Sequence, residues 1–347
     1  MALLWIEGFE GFGTSIGDAP SPAGIIGRKY PVINNEGTMD IEAGRLGGYS
    51  IQFPSASTYI QSPVLTTNAT MIVGFAAKFT LSSTDRALIY FYDGGTVGMT
   101  LVITPEGEVS VWRGGTTLDT TSGLGLSSGT WYYFEFKVTC GDSPNGSYEV
   151  RVGGVNVLSD TGLDTKAGTH TYHDSFRLNN SVTTPLYPYY DDLYCLDGSG
   201  ATNTDFLGNM RVVAIRPNGD TAANAWTPSA GADNYALVDE DIVDDDTTYV
   251  ESDTSTTKDL YDYTAIAGLG DSVKGIQINT VCRETDANSF SLKTVVKSDA
   301  TESADGAQAI GTTDYVTKTR IVELDPHTSN AWTLSGLNAA QFGIEVG

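Results

Sequence analysis

Cysteine is scarce: Cys140, Cys195 and Cys282 are the only three in 347 residues. An odd number in three separate segments makes no disulfide framework, and no CxxC pair is present to hold zinc. Buried free thiols are the expectation. Basic residues are also few, 19 Lys and Arg against 43 Asp and Glu, for a net charge of -24. Phosphate backbones and anionic leaflets repel such a surface, so nucleic-acid and membrane partners are not expected. No apolar run approaches the ~20 residues needed to span a bilayer. The N-terminus, Met1-Ala-Leu-Leu-Trp-Ile-Glu7, lacks the basic segment and small-residue cleavage site of a secretory signal. The expectation is therefore a mature form, or export without a signal. A sustained 3.6-residue period is missing from the first 200 residues, which argues against a helical body there.

What the chain does have is 40% hydrophobic residues, 39 Gly and 18 Tyr. That composition belongs to a folding sequence of short strands and tight turns. Its length suits two cored domains. Period-two alternation predicts strands over 49–53, 70–79, 86–92, 97–104, 108–113, 130–140, 148–152, 155–158, 175–178 and 189–196. Met71, Val73, Phe75, Ala77 and Phe79 would share one face, as would Tyr132, Phe134, Phe136 and Val138. Asn145-Gly146 and Gly153-Gly154 carry hairpin-turn chemistry. Residues 197–209 read as a linker. Beyond it, strands are expected over 210–216, 275–282, 289–297, 315–324 and 342–346, with one helical turn inside 334–341. The sequence thus predicts an all-β chain of two β-sandwich domains, 1–200 and a smaller one over 205–347.

Two resemblances follow from particular motifs. Gly129-Thr-Trp131, Glu135-Phe-Lys137, Asn145-Gly146, Tyr148-Glu-Val-Arg-Val152 and Gly153-Gly154 resemble the laminin-G-like or concanavalin-A-like jelly roll. That resemblance implies that Tyr190-Asp-Asp-Leu-Tyr194 is a last strand pairing back near Ile6-Glu-Gly-Phe-Glu10. In the second half, Phe206-Leu-Gly-Asn-Met-Arg-Val-Val213, Arg216-Pro-Asn-Gly-Asp220, Trp226-Thr-Pro228, Asn234-Tyr-Ala-Leu-Val-Asp239 and Asp244-Asp-Asp-Thr-Thr-Tyr-Val250 resemble structural proteins of tailed bacteriophages. Neither resemblance brings functional residues with it.

The candidates for chemistry are few. Glycosidases on such sandwiches need two carboxylates on one face; here Glu135 is flanked by Phe134 and Phe136, with Glu149 on its hairpin partner, and a structural role beside Lys137 or Arg151 is expected. His170 and His173 would point to opposite faces of a strand, so a solvated loop is expected instead of a shared metal. The acidic run 239–246 offers Asp244, Asp245 and Asp246 as oxygen ligands for Ca²⁺, without EF-hand spacing. Tyr187, Tyr189 and Tyr190 could stack on sugar rings, or pack as core and rim.

The resulting expectation is a non-enzymatic virion structural protein, exposed on the surface of a tailed phage as a tail or fibre component. Its partners would be other virion proteins and host-surface glycans, and its assembly, by analogy, a homo-trimer. Two alternatives stand beside it: a capsid decoration protein, and a bacterial carbohydrate-binding module or glycan-active enzyme.

Overall fold

A computed structural model describes residues 2–13, 17–21, 23–180, 187–270, 272–285 and 290–347. The chain is almost entirely β and divides into two compact units, Met1–Val213 and Ala214–Gly347. In the first unit the strands are β1 (Leu3–Glu7), β2 (Val32–Asn34), β3 (Asp40–Ala43), β4 (Tyr49–Gln52) and β5 (Thr58–Gln61). There follow β6 (Thr70–Lys78), β7 (Arg86–Asp93), β8 (Thr96–Ile103), β9 (Val109–Arg113) and β10 (Thr116–Thr120). The last are β11 (Tyr132–Thr139), β12 (Gly146–Val152), β13 (Val155–Leu163), β14 (Ser175–Asn180) and β15 (Tyr189–Leu196).

Among the described residues these strands form two antiparallel sheets. The larger has eight strands in the order β13-β12-β11-β6-β15-β4-β3, with β1 paired to β15. The smaller has seven, β10-β9-β8-β7-β14-β5-β2. Each strand carries apolar side chains at alternate positions, and burying both apolar faces against each other makes the sandwich. Phe91 of the smaller sheet stacks on Phe136 of the larger at 4.8 Å between ring centroids. Tyr190 lies fully buried between Phe53 and Phe75, and its hydroxyl reaches Leu88 O at 2.8 Å and Asn179 O at 2.9 Å across the layer.

Gly153 and Gly154 make the expected tight turn, at φ 59° and 83°. At Asn145-Gly146 the expectation fails. The connection is longer, closed by Asn145 N–H donating to Asp142 O at 2.7 Å, and β12 already begins at Gly146.

The stretch read as a linker, and the strand expected over 210–216, are replaced by an ordered strap on the outer face of the larger sheet. The Phe206 ring sits between Lys137 and Arg151, 4.7 and 4.3 Å from its centroid. Gly208 N–H donates to Glu135 Oε1 at 2.8 Å, and Val212 N–H to Asp192 Oδ1 at 2.7 Å. Arg45 pairs with Asp192 at 2.8 Å and donates to the strap at Asn209 and Met210. The strap's own backbone is thus satisfied by acids that alternation turns outward.

The second unit has β16 (Pro217–Asn224), β17 (Thr227–Pro228), β18 (Val250–Glu251), β19 (Lys258–Tyr263) and β20 (Ile276–Cys282). It continues with β21 (Ser291–Ser298), β22 (Thr301–Ala304), β23 (Gln308–Ala309), β24 (Val316–Val322), α1 (Leu334–Ala339) and β25 (Gln341–Val346). Among the described residues, a six-stranded sheet runs β16-β19-β25-β21-β22 with β23 on β21, and β17–β18 and β20–β24 form ribbons. Trp332, Phe342, Val296, Val322 and Leu337 make its core.

His173, expected on a solvated loop, is instead 1% exposed, with its ring 6.0 Å from Phe91 and neither nitrogen hydrogen bonded among the described residues. Burial pushes its pKa down to about 4. The unfolded chain therefore binds one more proton below pH ~6.5, and stability falls as pH drops from there toward 4. His173→Leu should remove that loss: urea unfolding at pH 5 should find the variant gaining about 2 kcal/mol on the parent relative to pH 8.

Candidate functional site

The outer face of the smaller sheet follows from strand parity. On β14, Phe176 and Leu178 are fully buried in the core, which turns Ser175, Arg177 and Asn179 outward. The same alternation turns out Tyr59 and Gln61 on β5, Tyr90 and Tyr92 on β7, Thr100 and Val102 on β8, and Ser110 and Trp112 on β9. Register aligns one residue from each strand into a transverse row: Gln61, Arg177, Tyr90, Thr100, Trp112, Thr117. At the usual inter-strand spacing this row is about 24 Å long.

Part of the row floors a cleft of about 700 Å³. Tyr90, Thr100, Val102 and Trp112 line it, together with Arg113, Lys166 and Asp85. The Trp112 indole is oriented by Nε1–H donating to Ser110 Oγ at 2.8 Å. Arg113 and Lys166 already have carboxylate partners, Asp164 and Asp142.

Arg177, one strand beyond Tyr90, does not. Its Nε and Nη2 donate to the amide oxygen of Gln61 at 3.0 and 2.7 Å. Its guanidinium lies 4.1 Å from the Tyr59 ring and 4.4 Å from the Tyr92 ring. No carboxylate pairs with it among the described residues. Burial raises the Tyr92 phenol above its ordinary value, and the Arg177 charge opposes that rise. Two residues along β14, Asn179 is 4% exposed, and its amide nitrogen has no partner among the described residues.

The residues singled out from the sequence lie elsewhere. Glu135 is fully buried under the strap, with Oε1 accepting from Tyr194 O–H at 2.5 Å and Gly208 N–H at 2.8 Å. The Tyr194 ring lies on Gly74, where a Cβ would come within 2.2 Å of it, so only glycine fits there. Glu149 pairs with Arg151 at 2.8 Å and Lys137 at 3.5 Å rather than converging with Glu135. His170 holds Asp93 at 2.5 Å.

The three tyrosines are dispersed. Tyr187 is 39% exposed, Tyr190 is core, and Tyr189 sits with Lys78 3.8 Å from its ring centre and Trp131 at 6.3 Å. In the second unit Asp244 accepts from Thr248 N–H at 3.1 Å, and Asp246 from Arg283 at 2.6 Å and Tyr315 O–H at 2.8 Å. Asp245 has φ 58°. Among the described residues no group of three or more His, Cys, Asp or Glu side chains is placed to hold a metal ion.

No family model matches the chain, and no curated protein matches it. Solved structures do. An endo-β-1,4-glucuronan lyase from the fungus Trichoderma reesei matches at 10% identity and TM-score 0.37, covering 53% of this chain and 94% of its own. An alginate lyase from the marine Aplysia kurodai matches at 10% and 0.42, covering 56% and 99%. A Trypanosoma rangeli sialidase matches at 11% and 0.35, covering 46% and 27%. These matches overturn the expectation of a non-enzymatic virion component: they are glycan-active enzymes, and no virion protein is among the three. At this level of likeness no reaction transfers to this chain, so the chemistry has to be argued from the cleft itself.

If Glu135 is structural, Glu135→Ala leaves the Tyr194 hydroxyl and the Gly208 amide without their acceptor. It should cost about 2–4 kcal/mol in urea unfolding, while ligand binding at the cleft stays as in the parent.

Proposed function

We propose that the first unit binds an acidic polysaccharide along the outer face of its smaller sheet and cleaves it by β-elimination at a uronate. The observation that carries this reading is Arg177. In a chain with 43 Asp and Glu against 19 Lys and Arg, a half-buried guanidinium stands on this face, one strand beyond the cleft, held by an amide and two aromatic rings, with no carboxylate among the described residues. A guanidinium fork matches a ligand carboxylate bidentately. Trp112, farther along the row, offers an indole face for a sugar ring. The overall negative charge does not forbid a polyanion, because charges beyond a Debye length of about 8 Å are largely screened at physiological ionic strength.

The cleft also favours one reaction over another. Hydrolysis by paired carboxylates needs two of them about 5–9 Å apart, and Asp85 is the sole carboxylate in the cleft lining among the described residues. Elimination needs none. Pairing the uronate carboxylate with Arg177 acidifies the proton on the adjoining ring carbon. That proton passes to a base, the electron pair forms a ring C=C bond, and the glycosidic C–O bond breaks with its oxygen taking up a proton. We assign proton transfer to Tyr90, the phenol beside Arg177 in the row.

The test is incubation of the purified chain with polyglucuronate, alginate and a neutral glucan. The ultraviolet absorbance of the unsaturated product should rise with an acidic polymer and not with glucan. Arg177→Ala should lower that rate by about 100-fold or more. Binding without any unsaturated product would refute the elimination, and absence of binding to every acidic polymer would refute the reading altogether.

A further inference from the structure

Arg177 is aimed by a chain of hydrogen bonds that ends in a carboxylate two residues removed from the guanidinium's own contacts. Asp174 Oδ2 accepts from Gly94 N–H at 2.8 Å, and its Oδ1 accepts from Ser175 O–H at 2.8 Å. Ser175 Oγ accepts from Gln61 Nε2–H at 3.0 Å, and Gln61 Oε1 then faces Arg177. The polarity of this chain is forced. An ionised carboxylate only accepts, so Ser175 must donate to it, and the serine oxygen is left to take the amide N–H. The amide therefore cannot flip without breaking three bonds, one to Ser175 and two from Arg177. Asp174, Ser175 and Gln61 are 7%, 2% and 8% exposed, so water replaces none of these contacts cheaply.

A carboxylate at position 61 would satisfy the same Arg177 nitrogens and cancel their charge. The amide gives the same geometry and leaves the cation unspent. We infer that Gln61 determines specificity, holding Arg177 as an uncancelled cation for an oxyanion of the ligand, the uronate carboxylate. Ser175 and Asp174 are positioning residues that fix which end of the amide faces it. This rests on the glycan-binding reading of the face. The unpartnered, buried amide nitrogen of Asn179 on the same face adds a second donor two residues away.

The experiment is calorimetric titration of the full chain with glucuronate oligomers and, in parallel, neutral glucose oligomers. Parent, Gln61→Glu and Ser175→Ala are compared, with melting temperatures to confirm folding. Gln61→Glu exchanges the amide N–H on Ser175 for a pairing with Arg177, so a single cooperative melt is required of it rather than the parent's melting temperature. It should bind the acidic oligomer at least about tenfold more weakly, with its affinity for the neutral oligomer unchanged. Ser175→Ala should weaken acidic binding by a smaller factor and also spare neutral binding. If the parent binds the glucuronate oligomer and Gln61→Glu binds it equally well, the role of Gln61 is wrong while the cleft reading survives. Equal losses for acidic and neutral oligomers would make Gln61 merely structural and overturn the inference. If the parent binds no acidic oligomer, both fall.

Discussion

Everything functional in the first unit depends on the pleat. Once Phe91, Phe136, Phe176, Leu178 and Tyr190 are committed to the layer between the sheets, each neighbouring residue is forced outward. A one-residue slip in β14 would bury Arg177 and expose Phe176. The aromatic layer, with Phe91 on Phe136 and the Tyr190 hydroxyl tied to the opposite sheet, therefore fixes the register that places the cation in its row.

The two outward faces then meet different fates. On the larger sheet the residues turned out include Glu135, Asp192 and Tyr194, and the strap over 205–212 closes on them. Its amides answer the acids beneath, and Lys137 and Arg151 grip Phe206. On the smaller sheet Tyr90, Thr100 and Trp112 of the row line the cleft, and Arg177 stands one strand beyond it. Local bonding decides which face is available, since residue types alone would have favoured the acid-rich one.

Part of the acidity of the chain serves its own loops. In the second unit Asp259 is fully buried and accepts from Ala225 N–H, Trp226 N–H, Asn234 and Tyr261 at 2.6–3.1 Å. Asp220 takes the Asn234 and Tyr235 amides, both at 2.8 Å. Carboxylates used this way satisfy backbone donors that a loop-rich β fold leaves unpaired.

Period-two alternation by itself located ten of the fifteen strands of the first unit, the all-β class, and inward residues such as Phe75 and Phe134, because a half-buried strand writes its two faces directly into sequence; it passed over β1, β2, β3, β5 and β10, which are only three to five residues long. Alternation cannot say whether an outward face is covered, and nothing local to Arg177 marked it out among the candidates. That required tertiary pairing: only the fold set Gln61 opposite Arg177 across more than a hundred residues of chain, sealed Glu135 beneath the strap and sank His173 into the core. Contacts between strands distant in sequence have no local signature, so the site became visible only once the sheets were assembled.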